Sequence, residues 1–210
     1  MNKSRSSNIL SILRNTYSNT EPDLHFRNIY ELTIAVVLSA QTTDKQVNEV
    51  TPVLFGKYPD FPDLADAEIG DVESIVRSTG FYRNKAKNII KLSQQIRDDH
   101  RNKVPRNIEE LVKIPGIGRK SANVILSVGY DIPGLAVDTH VARISKRLGY
   151  TVNESPEKIE RDLCEIIPPK DWKIAHILFI RHGRDRCKAR NPLCEGCSLN
   201  KYCIYEKKSN

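Results

Sequence analysis

Four of the chain's five cysteines lie close to its C-terminus, as Cys187, Cys194, Cys197 and Cys203, in the spacing C-x6-C-x2-C-x5-C. In a sequence without a secretion signal, clustered thiols are more readily explained by metal binding than by disulfides. Structural zinc sites usually bring two tight pairs, whereas here only Cys194 and Cys197 form one. The wider outer spacings suit a bulkier cubane in which each thiolate takes its own iron. Spacing therefore favours iron–sulfur over zinc and leaves both open. Residues 187–203 hold too few apolar groups to form a core, so ligation would have to fix the segment as a structural staple. The stretch KARNPL between the first two cysteines would project Lys188 and Arg190 from that base, either toward a phosphate or into solvent. Cys164 stands apart, at an apolar helical spacing with Ile159, Leu163 and Ile167, and reads as a buried structural thiol.

The second group of chemically capable residues is the segment LVKIPGIGRKSA, 111–122. Pro115-Gly116-Ile117-Gly118 makes a hairpin between a short helix and a second helix opening near Arg119. Gly116 and Gly118 allow positive φ and close backbone approach, and Ile117 would plug the hairpin into the core. The start of the second helix offers unpaired N–H groups and the positive end of the helix dipole, together an anion site. Such a helix-hairpin-helix binds a DNA phosphate without reading a base. Lys120 lies in the first turn, where a cation is disfavoured by about 0.3–1 kcal/mol and Arg119 adds repulsion. Both effects favour the neutral amine, which is a nucleophile; the alternative is a surface lysine that pairs with phosphate. Asp138, in Ala136-Val137-Asp138-Thr139-His140, is first of all an N-cap type. A carboxylate held there could also stabilise a cationic sugar in a transition state.

These residues require a helical scaffold. Helical spacing recurs while alternating strand patterns are absent, with candidate helices over 26–41, 44–56, 68–78, 84–98, 107–113, 119–129, 138–148, 155–167 and 170–184. The fold class is all-α. Pro59 and Pro62 end one helix and Thr51-Pro52 predicts a kink or a start within the second, Gly80 fits a C-terminal cap, and Asn107 and Asp138 are N-cap types. A short echo links Thr79–Ala86 with Pro115–Ala122: each is a Gly-containing turn followed by a basic helix start. The net charge of +7 is uneven, being −4 over residues 51–80, +7 over 81–120 and +5 over 181–210. Two basic blocks suggest one positive face able to attract phosphates, against the alternative of an ordinary solvated surface. No apolar run approaches the ~20 residues of a membrane span, and the N-terminus lacks a secretory pattern. A cytoplasmic protein is expected, associated with the nucleoid through DNA.

Taken in order, IPGIGRKSANVIL (114–126), AVDTH (136–140) and the C-terminal cysteine spacing resemble the endonuclease III family of helix-hairpin-helix, Gly/Pro-Asp DNA glycosylases. LSAQTTD (38–44) and GFYRNKA (80–86) extend the resemblance, which covers about residues 8–206. It implies two helical domains: a bundle at 22–132 carrying the hairpin, and a second domain from 1–21 and 133–210 holding a [4Fe–4S] cluster on Cys187, Cys194, Cys197 and Cys203, with DNA across the cleft. Lys120 matches the family's nucleophile and Asp138 its carboxylate. Gln41 and Phe81 match positions that fill the gap left by a flipped base, although Phe81 alone would also suit a core aromatic. His140 is a further candidate contact, together with the hairpin residues Gly116, Gly118 and Arg119 and the loop residues Lys188 and Arg190.

The implied activity is a bifunctional glycosylase and abasic-site lyase acting on oxidised pyrimidines in double-stranded DNA, in a protein expected to be monomeric. Two alternatives stand beside it: a mismatch thymine or uracil glycosylase of the same fold, and a non-catalytic DNA-binding iron–sulfur protein. The Lys120 and Asp138 pair argues against the last, since phosphate binding does not need it. The chain has no acid between Glu31 and Asp44, where adenine-removing cousins carry a glutamate. Asn191 and Leu193 stand where many relatives have further basic residues, which leaves the loop's grip to Lys188 and Arg190.

Overall fold

The computed structural model describes residues 2–205. Among the described residues eleven α-helices run in order: α1 (Lys3–Thr16), α2 (Ile29–Leu38), α3 (Asp44–Lys57), α4 (Phe61–Ala65), α5 (Ile69–Val76), α6 (Tyr82–His100), α7 (Ile108–Leu111), α8 (Arg119–Val124), α9 (Thr139–Arg147), α10 (Pro156–Ile166) and α11 (Trp172–Asp185). There is no strand among the described residues, and the all-α expectation holds. The chain divides into two compact units, one spanning Pro22–Ile132 and the other made of the segments before and after it. Residue 1 and residues 206–210, which belong to the expected second domain, lie outside the described residues.

In the Pro22–Ile132 unit the organising element is α2. Its sequence IYELTIAVVL is apolar on nearly every side, and every residue from Tyr30 to Leu38 is buried, as a helix hydrophobic all round must be. Asn28 caps it by accepting from the Glu31 amide at 2.9 Å. Glu31, itself buried, pairs with Arg27 at 2.6 Å. Around it pack Val47 and Leu54 of α3, Val72 and Val76 of α5, and Ala86, Ile89, Leu92 and Ile96 of α6. Those α6 positions repeat at three- and four-residue intervals, so one stripe of the helix faces the core.

The other unit has its own core. Ile9, Leu10 and Leu13 of α1 join Val141 and Ile144 of α9, Ile159 and Leu163 of α10, and Ala175, Leu178 and Phe179 of α11. Cys164 packs against this core half-buried rather than fully enclosed.

Several expected elements differ from those observed. Helices α1 and α4 fall outside the expected set. Helix α3 begins at Asp44, where Thr43 accepts from the Gln46 amide at 3.2 Å, and continues through Pro52 without a new start. Val47 and Val50 lie before the proline and Leu54 and Phe55 after it, all buried. Burying four such side chains, at ~1.5–3 kcal/mol each, outweighs the ~3 kcal/mol an internal proline costs. Pro62 opens α4 instead of closing a helix, since φ near −65° suits a first turn. The helix expected over 119–129 is α-helical to Val124 and π-helical over Ile125–Gly129.

Candidate functional site

The hairpin is built from the core outward. Asn107 caps α7 by accepting from the Glu110 amide at 2.8 Å, and Leu111, Ile114 and Ile117 are buried in the first core. Ile117 therefore anchors the turn, and its amide donates back to the Ile114 carbonyl at 3.1 Å. Gly116 has φ +81°, and a Cβ there would stand 3.0 Å from Val37 Cγ1 and 3.2 Å from Asn88 Cβ. Gly118 departs from the positive-φ expectation. Its φ is −90° at the N-cap of α8, and a Cβ there would meet open space. No side chain caps α8, so the first-turn amides remain available to an anion. Gly116, Gly118, Arg119 and Lys120 are all exposed.

Two more predicted residues lie in this unit. Gln41 precedes α3 with φ 53° and Phe81 precedes α6 with φ 47°, left-handed conformations that cost a non-glycine residue ~1–2 kcal/mol. Both are exposed, Phe81 by 65%, so Phe81 is not a core aromatic. The echo has a structural counterpart: Gly80 at φ 67° precedes α6 as Gly116 at φ 81° precedes α8. Of the basic residues in 81–120, Lys85 does not contribute to a positive surface, because it is buried.

In the other unit Asp138 is half-buried and caps α9, accepting from the Val141 amide at 2.8 Å. His140 lies one residue into the helix, with Nδ1 3.0 Å from Arg143 Nη2. Burial pushes its pKa below the ordinary histidine value despite the nearby Asp138 charge. Arg143 also donates to the carbonyls of Gly183 at 2.9 Å and Cys187 at 3.0 Å. One turn on, Arg147 donates to the Lys188 carbonyl at 2.8 Å and approaches Cys187 Sγ at 3.2 Å. These two arginines tie α9 to the first cysteine loop. The sequence marks them only as helix charges, because their partners are some 40 residues away. A groove of about 690 Å³ runs past Asp138, Arg143, Lys146 and Arg147.

Cys187, Cys194, Cys197 and Cys203 line one cavity of about 380 Å³, together with Arg147, His182 and Leu199. Among the described residues no three His, Cys, Asp or Glu side chains converge on a single ion position. Four thiols lining one cavity suit a polynuclear group in which each thiolate takes its own iron. Burial raises the Cys197 and Cys203 thiol pKa values, and ligation to a cation would hold both as thiolates. His182 Nε2 stands 3.9 Å from Cys197 Sγ, while its Nδ1 is 3.1 Å from the Tyr17 hydroxyl. Burial pushes the His182 pKa down to about 4. Lys188 and Arg190 are exposed on the loop between the first two cysteines.

Residues 34–169, well over half of the chain, match the HhH-GPD superfamily of base excision DNA repair proteins. Residues 187–203 match the iron–sulfur binding domain of endonuclease III. Endonuclease III of Synechocystis sp. is 45% identical over 202 residues, which is 96% of this chain and 92% of the relative. The chain belongs to the endonuclease III family. It is accordingly a base excision repair DNA glycosylase and abasic-site lyase that binds DNA and carries an iron–sulfur cluster. A solved trapped endonuclease III–DNA covalent intermediate is 43% identical, covers 97% of this chain and 96% of its own, and superposes with a TM-score of 0.92. A thermostable thymine-DNA glycosylase, 20% identical with 98% of each chain covered, reaches a TM-score of 0.88 and shares the fold alone. No helix among the described residues is long and apolar enough to cross a membrane.

Proposed function

We propose that this member of the endonuclease III family removes oxidised pyrimidines from double-stranded DNA as a monomer and cuts the strand at the resulting abasic site, with Lys120 as the nucleophile. The observation that carries the reading is the placement of Lys120: an exposed amine in the first turn of α8, directly after an exposed glycine hairpin. The hairpin amides hold a phosphate and so bring the backbone of the strand to the amine. The damaged nucleotide leaves the stack before C1′ can be reached, and Gln41 and Phe81 fill the space it vacates. Arg119 beside the hairpin and His140 on α9 are further DNA contacts in this reading, and Lys188 and Arg190 grip phosphates from the cysteine loop.

The Lys120 amine forms a bond to C1′ as the C1′–N bond breaks, and the base leaves with the electron pair and takes up the proton that the substituted amine sheds. Ring opening gives an iminium. This acidifies the C2′ proton, whose loss expels the 3′ phosphate by β-elimination. Asp138 stabilises positive charge on the sugar and helps activate the amine. Cys187, Cys194, Cys197 and Cys203 would hold a [4Fe–4S] cluster, which supplies structural ligation when bound.

Single-turnover excision on duplexes carrying thymine glycol, dihydrouracil, uracil or a G·T mismatch tests the substrate class. The first two should be cleaved and the last two left intact. Excision confined to uracil or G·T would replace this reading with that of a mismatch glycosylase.

A further inference from the structure

Lys85 is a buried cation unaccounted for by either the chemistry or the phosphate grip. It lies in the first turn of α6, 5% exposed. Its Nζ donates to the Thr79 carbonyl at 2.7 Å and to the Thr42 hydroxyl, and that hydroxyl donates in turn to the same Thr79 carbonyl. The three groups close a triangle. Thr42 follows Gln41 and Thr79 stands two residues before Phe81, so one ammonium joins the two loops that carry the exposed left-handed residues. Nearby, Gln46 Nε2 donates to the Ser78 hydroxyl at 2.9 Å and reinforces the same seam.

A stability role does not account for this choice of residue. Both acceptors are neutral oxygens, and burial alone moves the Lys85 pKa, downward. A methionine would fill similar space without the desolvation penalty that a buried ammonium carries. Directional, charge-assisted hydrogen bonds are what the lysine adds. Left-handed non-glycine residues persist only where their surroundings over-determine them, and Gln41 and Phe81 flank the bonded groups on either side.

We propose that Lys85 is a positioning residue that clamps the Gln41 and Phe81 loops at a fixed spacing, so that both side chains enter the space left by a flipped nucleotide together. The inference rests on the wedge role given to Gln41 and Phe81 above. Lys85 touches no DNA in this scheme and acts through the two loops.

The test is a mutant cycle read by single-turnover excision, duplex affinity and thermal melting. Lys85→Met keeps an unbranched side chain one atom shorter and removes the donors. It should slow excision ~10-fold, as a small misplacement of positioning groups does, and leave undamaged-duplex affinity and its salt dependence unchanged. In a Gln41→Ala, Phe81→Ala background the same substitution should have no further effect on excision, because the groups it positions are gone. Thr42→Val removes one corner of the triangle while keeping the ammonium, and should behave alike with a smaller loss; it carries the test if Lys85→Met fails to fold. Equal slowing by Lys85→Met in both backgrounds, or no slowing in either, would overturn the clamp. If Gln41→Ala, Phe81→Ala by itself leaves excision unchanged, the wedge reading fails, and the clamp with it; that outcome is read from the background protein alone.

Discussion

In the proposed reading Asp138 combines a structural and a chemical role in one carboxylate, and substitution separates them. Its oxygen caps α9 at 2.8 Å, a function asparagine performs about as well and alanine does not. Asp138→Asn should therefore keep the melting temperature and lose excision, since the charge is removed while the cap remains. Asp138→Ala should lose excision and also ~1 kcal/mol of stability, measurable by denaturant unfolding. Activity retained in Asp138→Asn would confine the residue to capping. The two hairpin glycines make a second pair. Gly116→Ala meets both a left-handed φ and Val37 Cγ1 at 3.0 Å, and should destabilise the fold by ~1–2 kcal/mol or more. Gly118→Ala meets neither, so its effect should fall on duplex affinity, with stability changed by less than ~1 kcal/mol. Equal unfolding losses at the two positions would contradict this assignment. The hairpin was legible because glycine, proline and N-cap types act through their own backbone. Lys85, Arg143 and Arg147 were not, since a lysine in a basic block or an arginine on a helix gives no local sign of its distant partner.

Helix α9 and the segment after Cys187 depend on one another. Arg143 and Arg147 bond the carbonyls of Cys187 and Lys188, and the Ile204 amide returns a bond to the Arg147 carbonyl at 2.8 Å. Leu199 is the one fully buried apolar residue that the described part of this segment gives the core, which is too little to order it without ligation. Removing the iron with a chelator should speed hydrogen exchange over 187–205 while the Pro22–Ile132 unit keeps its protection. Uniform exchange before and after removal would show that the hydrogen bonds suffice without the cluster. Cys164→Ala should leave the iron content at about four per chain. Most helices were legible from apolar spacing, down to the caps at Asn107 and Asp138. Helix α1 was missed because its basic, polar residues mask the Ile9, Leu10 and Leu13 stripe, which gains meaning only against α9–α11. Helix α4 was missed because Pro62 read as a stop, whereas after Asp60, which accepts from the Asp63 amide at 2.9 Å, it serves as a start.

Across the whole molecule, the net charge of +7 supplies affinity without base choice. Lys188 and Arg190 are exposed on the cysteine loop. Replacing both with alanine should weaken damaged and undamaged duplex by similar factors and reduce the slope of log K against log salt by roughly one to two units. Loss of damage preference with an unchanged slope would mean that this loop reads the lesion. Excision and strand cleavage by a single amine is the claim on which the rest depends, and reductive trapping tests it most directly. The protein is incubated with a thymine glycol duplex and borohydride, and the adduct is digested and mapped by mass spectrometry. The predicted result is a covalent protein–DNA species with the sugar remnant on Lys120, absent from Lys120→Gln, which still folds and binds duplex. An adduct on another amine, or base release at the normal rate with no trapped species, would contradict it.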